Sequence, residues 1–338
     1  MHLRRALLAA LSVVLAPLAL VAPATGTASG ADPSCGFGIK PGRQTIPVLT
    51  QGGSYQVLVH VPDGFRPGRR LPLVLNLHGA TQSGAQSLSD SKLDRTADKY
   101  DFFLVSPDGG IPNLALPASL PAGYFWNVPG IPMSGGLPVP PGSRNDVRFL
   151  LDVVATMSAR LCVNPRRIYV DGASNGAMMT SYLACHHADL FAAAGAVSGV
   201  RAGRARPDDP SQVDTSACRP ARSMPVIAIH GRKDPLVPYD GNDSEGWGYD
   251  VKTAMKRWGE LNGCRRAGAD RRITPTVTRM RWKRCRADVV LVSSDIGGHT
   301  WYGHKSVVPY ELAVGETDMS IDNNEILWGF FADQRLPR

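Results

Sequence analysis

The sequence predicts an α/β fold, a mostly parallel sheet with helices on both faces. Short apolar runs recur along the chain, segments of helical periodicity separate them, and no internal repeat interrupts the alternation. The 338 residues are 43% hydrophobic and 20% charged, too apolar for a disordered chain. The 35 glycines show no three-residue period, which excludes a collagen-like chain. This length suits one large domain, residues 32–338, able to bury about three quarters of its unfolded surface.

The first 31 residues read as a leader. Arg4 and Arg5 precede an apolar run over 6–21, and a small-residue stretch over 22–31 follows. That is a secretory signal peptide, with cleavage expected between Ala24 and Ala31. The run is shorter than the roughly 20 apolar residues a membrane span needs, and no later segment exceeds it. A secreted, extracellular protein without a stable membrane anchor is expected, and a monomer.

Seven strands follow from apolar runs at 56–61, 72–78, 102–106, 167–171, 193–198, 225–230 and 289–293. Residues 146–161 place Val147, Leu150, Leu151, Val154, Met157 and Leu161 at helical spacing. Further helices are expected at 175–186, 251–261 and 323–331. Two stretches break the rhythm. Residues 107–145 are rich in Gly and Pro around Tyr124, Phe125 and Trp126, and a loop that long is usually functional. Residues 201–222 form a polar excursion containing Cys218.

All 6 cysteines follow the leader, an even number suited to an oxidising compartment. No C-x-x-C pair is present, so no zinc or other metal site is expected. Three disulfides are, with connectivity open in principle. Cys264–Cys285, bracketing one short segment, is the favoured pair; Cys185–Cys218 comes next, leaving Cys35–Cys162.

That bracketed segment holds most of the charge. Residues 264–286 carry nine cations (Arg265, Arg266, Arg271, Arg272, Arg279, Arg281, Lys283, Arg284, Arg286) against Asp270 alone, while the whole chain is formally +8. Without Arg4 and Arg5, the rest of the chain is therefore −2. A solvated hairpin face is the expectation, with attraction to an anionic wall or polymer as the alternative. No nucleic-acid motif accompanies it, and no nucleic-acid partner is expected.

The chemistry is carried by Gly172-Ala173-Ser174-Asn175-Gly176, a G-x-S-x-G between an expected strand and helix. So tight a turn needs residues without bulky side chains on either side of the serine. The following helix then points its first amides at the reacting centre. Ser174 is the candidate nucleophile. It needs a base, and the base needs an orienting carboxylate. Asp234 lies just past the strand at 225–230, where open α/β sheets place ligands. His299 follows the strand at 289–293, with Gly297 and Gly298 before it to turn the backbone. Asp209, Asp214 and Asp295 are weaker candidates for the acid, lacking that strand-end context. His60, His186, His187 and His230 read as structural, and His304 as a possible neighbour of the cleft. Two backbone N–H groups are expected to hold the oxyanion, each worth about 3–4 kcal/mol. Asn175 supplies one; Ala80, in the loop His78-Gly79-Ala80-Thr81-Gln82, supplies the other, with Thr81 as its rival.

These stretches resemble the secreted carboxylesterases related to polyhydroxybutyrate depolymerases and feruloyl esterases, of the carbohydrate esterase family 1 type. The similarity runs through 73–82, 146–199, 225–241, 290–303 and 323–331. It implies an α/β-hydrolase fold, a Ser174–His299–Asp234 triad with Ala80 and Asn175 as oxyanion donors, and no cofactor. Where relatives commonly carry Pro after His-Thr-Trp, this chain has Tyr302, and Ala177 stands where they often have Gly. Phe125, Trp126, Trp301 and Tyr302 are expected to line an apolar cleft for an aromatic ester or a short polyester chain, with Trp126 packing its own loop as the alternative. The expected function is secreted serine carboxylesterase. Acyl transfer to a sugar or lipid with the same triad is the alternative, a serine peptidase is mechanistically open, and a non-catalytic secreted binding protein is the reading from another class.

Overall fold

A computed structural model describes residues 35–115, 123–133, 136–242, 246–305 and 311–337. The leader expected over 1–31 lies outside the described residues. Along the chain, β1 (Gly42–Thr50) and β2 (Gly53–Val61) form a hairpin whose two-residue turn, Gln51-Gly52, has positive φ at both positions. That turn matches the twist of paired strands. β3 (Leu71–Leu77) is buried throughout. Two helices follow, α1 (Gly84–Ser91) and α2 (Leu93–Tyr100), joined through Lys92 in the left-handed region. β4 (Phe103–Ser106) comes next, then the small pair β5 (Ile111–Pro112) and β6 (Tyr124–Phe125). The second half runs α3 (Asp146–Arg160), β7 (Val163–Ala173), α4 (Asn175–His186), β8 (Ala193–Val197), β9 (Val226–Gly231) and α5 (Val251–Leu261). It closes with β10 (Arg271–Arg272), β11 (Val277–Arg281), β12 (Val289–Ser294), α6 (Glu311–Val314) and α7 (Asn323–Phe331).

Among the described residues, ten strands form one sheet in the order β1-β2-β4-β3-β7-β8-β9-β12-β11-β10. The six central strands, from β4 to β12, are parallel, and the two strands at each end run antiparallel. The chain winds from β3 to β4 on one side and returns to β7 on the other. The switch point therefore lies between β3 and β7, where open α/β sheets bind ligands. Strand residues alternate between two cores. Val226, Ala228, Val289 and Leu291 join Phe149, Val153 and Met157 of α3 on one face. Ile227, Ile229, Val290 and Val292 join Leu327, Trp328 and Phe331 of α7 on the other. This is the α/β-hydrolase fold.

The sequence did not mark β1, α1, α2, β10 or β11. The helices are short and start from polar segments; α1 is set by a capping box in which Ser83 accepts from the Gln86 N–H and the Gln86 side chain accepts from the Ser83 N–H. The three disulfides are Cys35–Cys162, Cys185–Cys218 and Cys264–Cys285. The first ties the start of the described chain to the foot of β7. The second anchors the excursion after β8 to the end of α4. The third closes the base of the β10–β11 hairpin. No helix among the described residues is long and apolar enough to cross a membrane.

Candidate active site

Ser174 sits between β7 and α4 with φ 55° and ψ −120°, a conformation L-residues rarely adopt. Its N–H donates to the Val197 carbonyl at 2.9 Å, which holds the turn against β8. The two flanking glycines are required by space. A Cβ on Gly172 would stand 2.6 Å from the Gly176 carbonyl oxygen, and one on Gly176 only 2.2 Å from that of Leu77. The elbow is thus pressed onto the end of β3, the strand that leads into the His78–Gln82 loop.

That loop is held from several sides. His78 is buried; its Nδ1–H donates to the Gly79 carbonyl at 2.7 Å, and its Nε2 accepts the Gly109 N–H at 2.9 Å. Burial pushes the imidazole pKa down to about 4, although the Gly79 bond and Asp108 act the other way. His78 is therefore a neutral strut. The Thr81 N–H is committed to the Tyr124 carbonyl at 2.8 Å. Of the two N–H groups the sequence left as rivals, this one is occupied, which favours Ala80.

Of the two readings left open for Trp126, burial at 2% exposure favours packing over lining. Its indole N–H donates to the His78 carbonyl at 2.9 Å, and its backbone N–H to Asn175 Oδ1 at 2.7 Å. One residue thus bridges the loop after β3 and the first residue of α4. Tyr302 corrects an expectation. It is fully buried, its hydroxyl donating to the Gly298 carbonyl at 2.9 Å. Burial, with Asp234 and Asp318 nearby, pushes its phenol well above the ordinary range. The ring braces the His299 loop from behind. Trp301 is half-buried, its indole N–H donating to Asn324 Oδ1 at 2.8 Å, so its polar end faces α7. Amphipathic aromatics near a candidate catalytic loop read as lining, but here their polar ends satisfy buried acceptors.

Asp234 and His299 meet. Asp234 Oδ2 lies 2.8 Å from His299 Nδ1, and Oδ1 accepts the Leu236 and Val237 N–H groups at 2.9 and 2.8 Å. His230, expected to be structural, donates Nε2–H to the Val237 carbonyl at 2.8 Å and lies 3.3 Å from Asp234 Oδ2. Burial opposes ionisation of Asp234, but the hydrogen bonds from His230 and His299 outweigh it and hold the carboxyl well below the usual carboxylate range. With Nδ1–H given to that carboxylate, His299 carries its lone pair on Nε2. The segment before it is stitched to the Asp234 loop, Lys233 N–H donating to the Gly297 carbonyl at 3.1 Å. Ser174, Asp234 and His299 follow the carboxyl ends of β7, β9 and β12, three parallel strands of one sheet.

Sequence reasoning missed the support beneath the 107–145 stretch. Arg144 and Asp146 form a buried pair at 2.7 Å, with side chains 7% and 0% exposed. Asp146 also accepts the Gly110 and Asn127 N–H groups at 3.0 and 2.8 Å, while Arg144 donates to the Asp108 carbonyl at 2.7 Å. The only signal was an arginine at the end of that stretch and an aspartate opening the following helix. Also unforeseen is a pocket of about 370 Å³ lined by Ile131, Met178, Tyr182, His186 and Arg201 among others. It opens one helical turn beyond Ser174 along α4.

Comparison with known proteins agrees with this architecture. The prolyl oligopeptidase family matches residues 143–210, the stretch containing the elbow. The chain is 29% identical over 252 residues to feruloyl esterase B of Piromyces equi, covering 72% of this chain and 42% of that protein. It is 29% identical over 150 residues to poly(3-hydroxyalkanoate) depolymerase C of Paucimonas lemoignei, covering 44% of this chain and 32% of that one. It thus spans less than half the length of either relative. An S-formylglutathione hydrolase from Agrobacterium tumefaciens superposes with a TM-score of 0.52 at 14% identity, over 87% of this chain and 95% of that one, a likeness of fold.

Proposed function

We propose that this chain is an exported serine esterase that hydrolyses carboxylic esters, with hydroxycinnamate esters or short hydroxyalkanoate chains as substrates. The observation that carries this reading is the Asp234–His299 pair at 2.8 Å, its carboxylate buried, on the same sheet edge as a Ser174 held at positive φ. Ser174 Oγ attacks the ester carbonyl while His299 Nε2 takes its proton, and Asp234 stabilises the imidazolium. The N–H groups of Asn175 and Ala80 receive the oxyanion. The imidazolium protonates the departing alcohol, leaving an acyl-Ser174. Water then attacks that ester, giving its proton to Nε2, and the acid leaves as Ser174 regains its proton. Export is supported by three disulfides and by the charged, apolar and small-residue order of the first 31 residues.

The test is turnover of methyl ferulate, p-nitrophenyl esters and polyhydroxybutyrate by the mature protein and its Ser174→Ala variant, with fluorophosphonate labelling alongside. We expect Ser174→Ala to lose labelling and about 10⁴-fold or more in kcat. Equal turnover by the variant refutes the nucleophile; no labelling and no turnover by the wild type favours the binding-protein reading. Product formed only when an alcohol acceptor is added favours acyl transfer.

A further inference from the structure

The β10–β11 hairpin sets like charges against each other. Its register puts Arg271 directly opposite Arg279, and an isolated bridge puts Arg266 opposite Lys283. Opposed residues of an antiparallel pair share a face, with Cβ atoms about 5 Å apart, and like charges there are destabilising. Along the inner strand, Arg279, Arg281 and Lys283 are exposed, while Thr278 and Met280 are half-buried and Trp282 is buried. Alternation therefore puts Arg279 and Arg281 on one outward face, about 7 Å apart. Five cations stand in a ladder there. Among the described residues, the ladder's one ion pair is Arg281 with Asp288, at 2.7 Å. The Cys264–Cys285 bridge closes the hairpin's base, so the strands cannot splay apart to relieve the repulsion.

A charged edge strand also discourages edge-to-edge pairing, but isolated lysines achieve that without opposing one another. We propose that this face binds an extended polyanion bearing carboxylates, an acidic polysaccharide built from uronate units. All but one of the segment's cations are arginines, whose planar fork matches a carboxylate with two parallel hydrogen bonds. The segment's one aromatic residue, Trp282, is buried, so no platform for stacked bases is presented. Val277 is buried, and Ile273 and Met280 pack into the cores, so no apolar anchor faces outward for a bilayer. Three disulfides place the molecule in an oxidising compartment, where polysaccharide is an available extended polyanion.

The test is affinity electrophoresis and retention of the mature protein on immobilised polygalacturonate, with neutral dextran as reference, at low salt and at about 0.5 M NaCl. We expect retention on polygalacturonate alone, lost at the higher salt. Arg271→Gln/Arg279→Gln/Lys283→Gln should weaken binding at least tenfold. The charge-matched Arg95→Gln/Lys252→Gln/Lys256→Gln should bind as the wild type does, and both variants should hydrolyse a soluble ester at the wild-type rate. Ser174→Ala should also bind fully, so failure of the esterase reading and failure of this one are separable. No retention of the wild type, equal loss in both triple variants, or tighter binding to duplex DNA or anionic phospholipid vesicles would overturn the proposal. If the hairpin triple variant melts early, Lys283→Gln alone, read by its salt dependence, decides the matter.

Discussion

Between β3 and β7, at the centre of the sheet, polar groups are buried and tied to one another; at β10 and β11, on its outer edge, they are exposed and opposed. Near the elbow, His78, Trp126, Arg144 and Asp146 each serve two or more partners. At the hairpin, Arg271 and Arg279 face each other across a strand pair open to solvent. The difference teaches where a change of one side chain matters. A buried polar group left alone keeps its desolvation cost without its partner, whereas an exposed charge is rehydrated at once. Substitutions at the centre should therefore be costly and specific, and those at the edge nearly free for folding.

The largest effect is expected from Arg144→Met. It leaves Asp146, whose pKa burial already raises despite Arg144, without its cation and withdraws the donor to the Asp108 carbonyl. A loss of about 3–5 kcal/mol in stability is expected by denaturant unfolding, as for other broken buried pairs. Arg144→Met/Asp146→Asn should recover part of it, because the amide oxygen still accepts from Gly110 and Asn127. A loss below about 1 kcal/mol for the single variant would show that the centre is no more demanding than the edge.

How much of this contrast could be read in the chain depends on which physical signal each region leaves. The parallel strands are apolar on both faces, so 72–78, 193–198 and 225–230 stood out as continuous runs. Asp234 and His299 could be singled out because each follows such a run. β1 was hidden by its polar first half, Gly42 to Thr45, and by Pro47, and β10 and β11 by arginines where a strand normally shows β-branched residues. The burial of Trp126 and Tyr302 could not be read ahead, because sequence gives proximity to the candidate catalytic segments but not the direction of a ring. The choice between Ala80 and Thr81 turned on one backbone bond to Tyr124, a residue more than 40 positions away, and no local pattern encodes it.

A second test at the centre uses pH. Asp171 on β7 is fully buried, its Oδ1 accepting from Asn76 Nδ2 at 2.6 Å while Oδ2 has no partner among the described residues. Burial pushes its pKa up to about 7, with the Asn76 bond acting in the opposite direction. The folded state thus keeps a proton that the unfolded chain releases near pH 4. Stability contributed by Asp171 is full below the unfolded value, falls as pH rises, and is lost above the folded one. Asp171→Asn should flatten the melting temperature between pH 4 and 7 and raise stability at pH 8 by on the order of 3 kcal/mol. An unchanged pH profile would mean that Asp171 is ionised in the folded protein.

The smallest effect belongs to the edge. Arg279→Thr removes one member of the Arg271–Arg279 opposition and leaves a residue that favours strands. Stability should stay level or rise by less than about 1 kcal/mol, the range of a single cross-strand pair. Salt separates the two causes. Wild-type stability should increase as NaCl screens the opposed guanidinium groups, and the variant's should increase less. If Arg279→Thr instead destabilises the protein, the guanidinium is held by a favourable contact, and the hairpin follows the rule of the centre rather than its own. If stability holds while binding to polygalacturonate falls, the opposed charges are maintained for a partner and not for the fold.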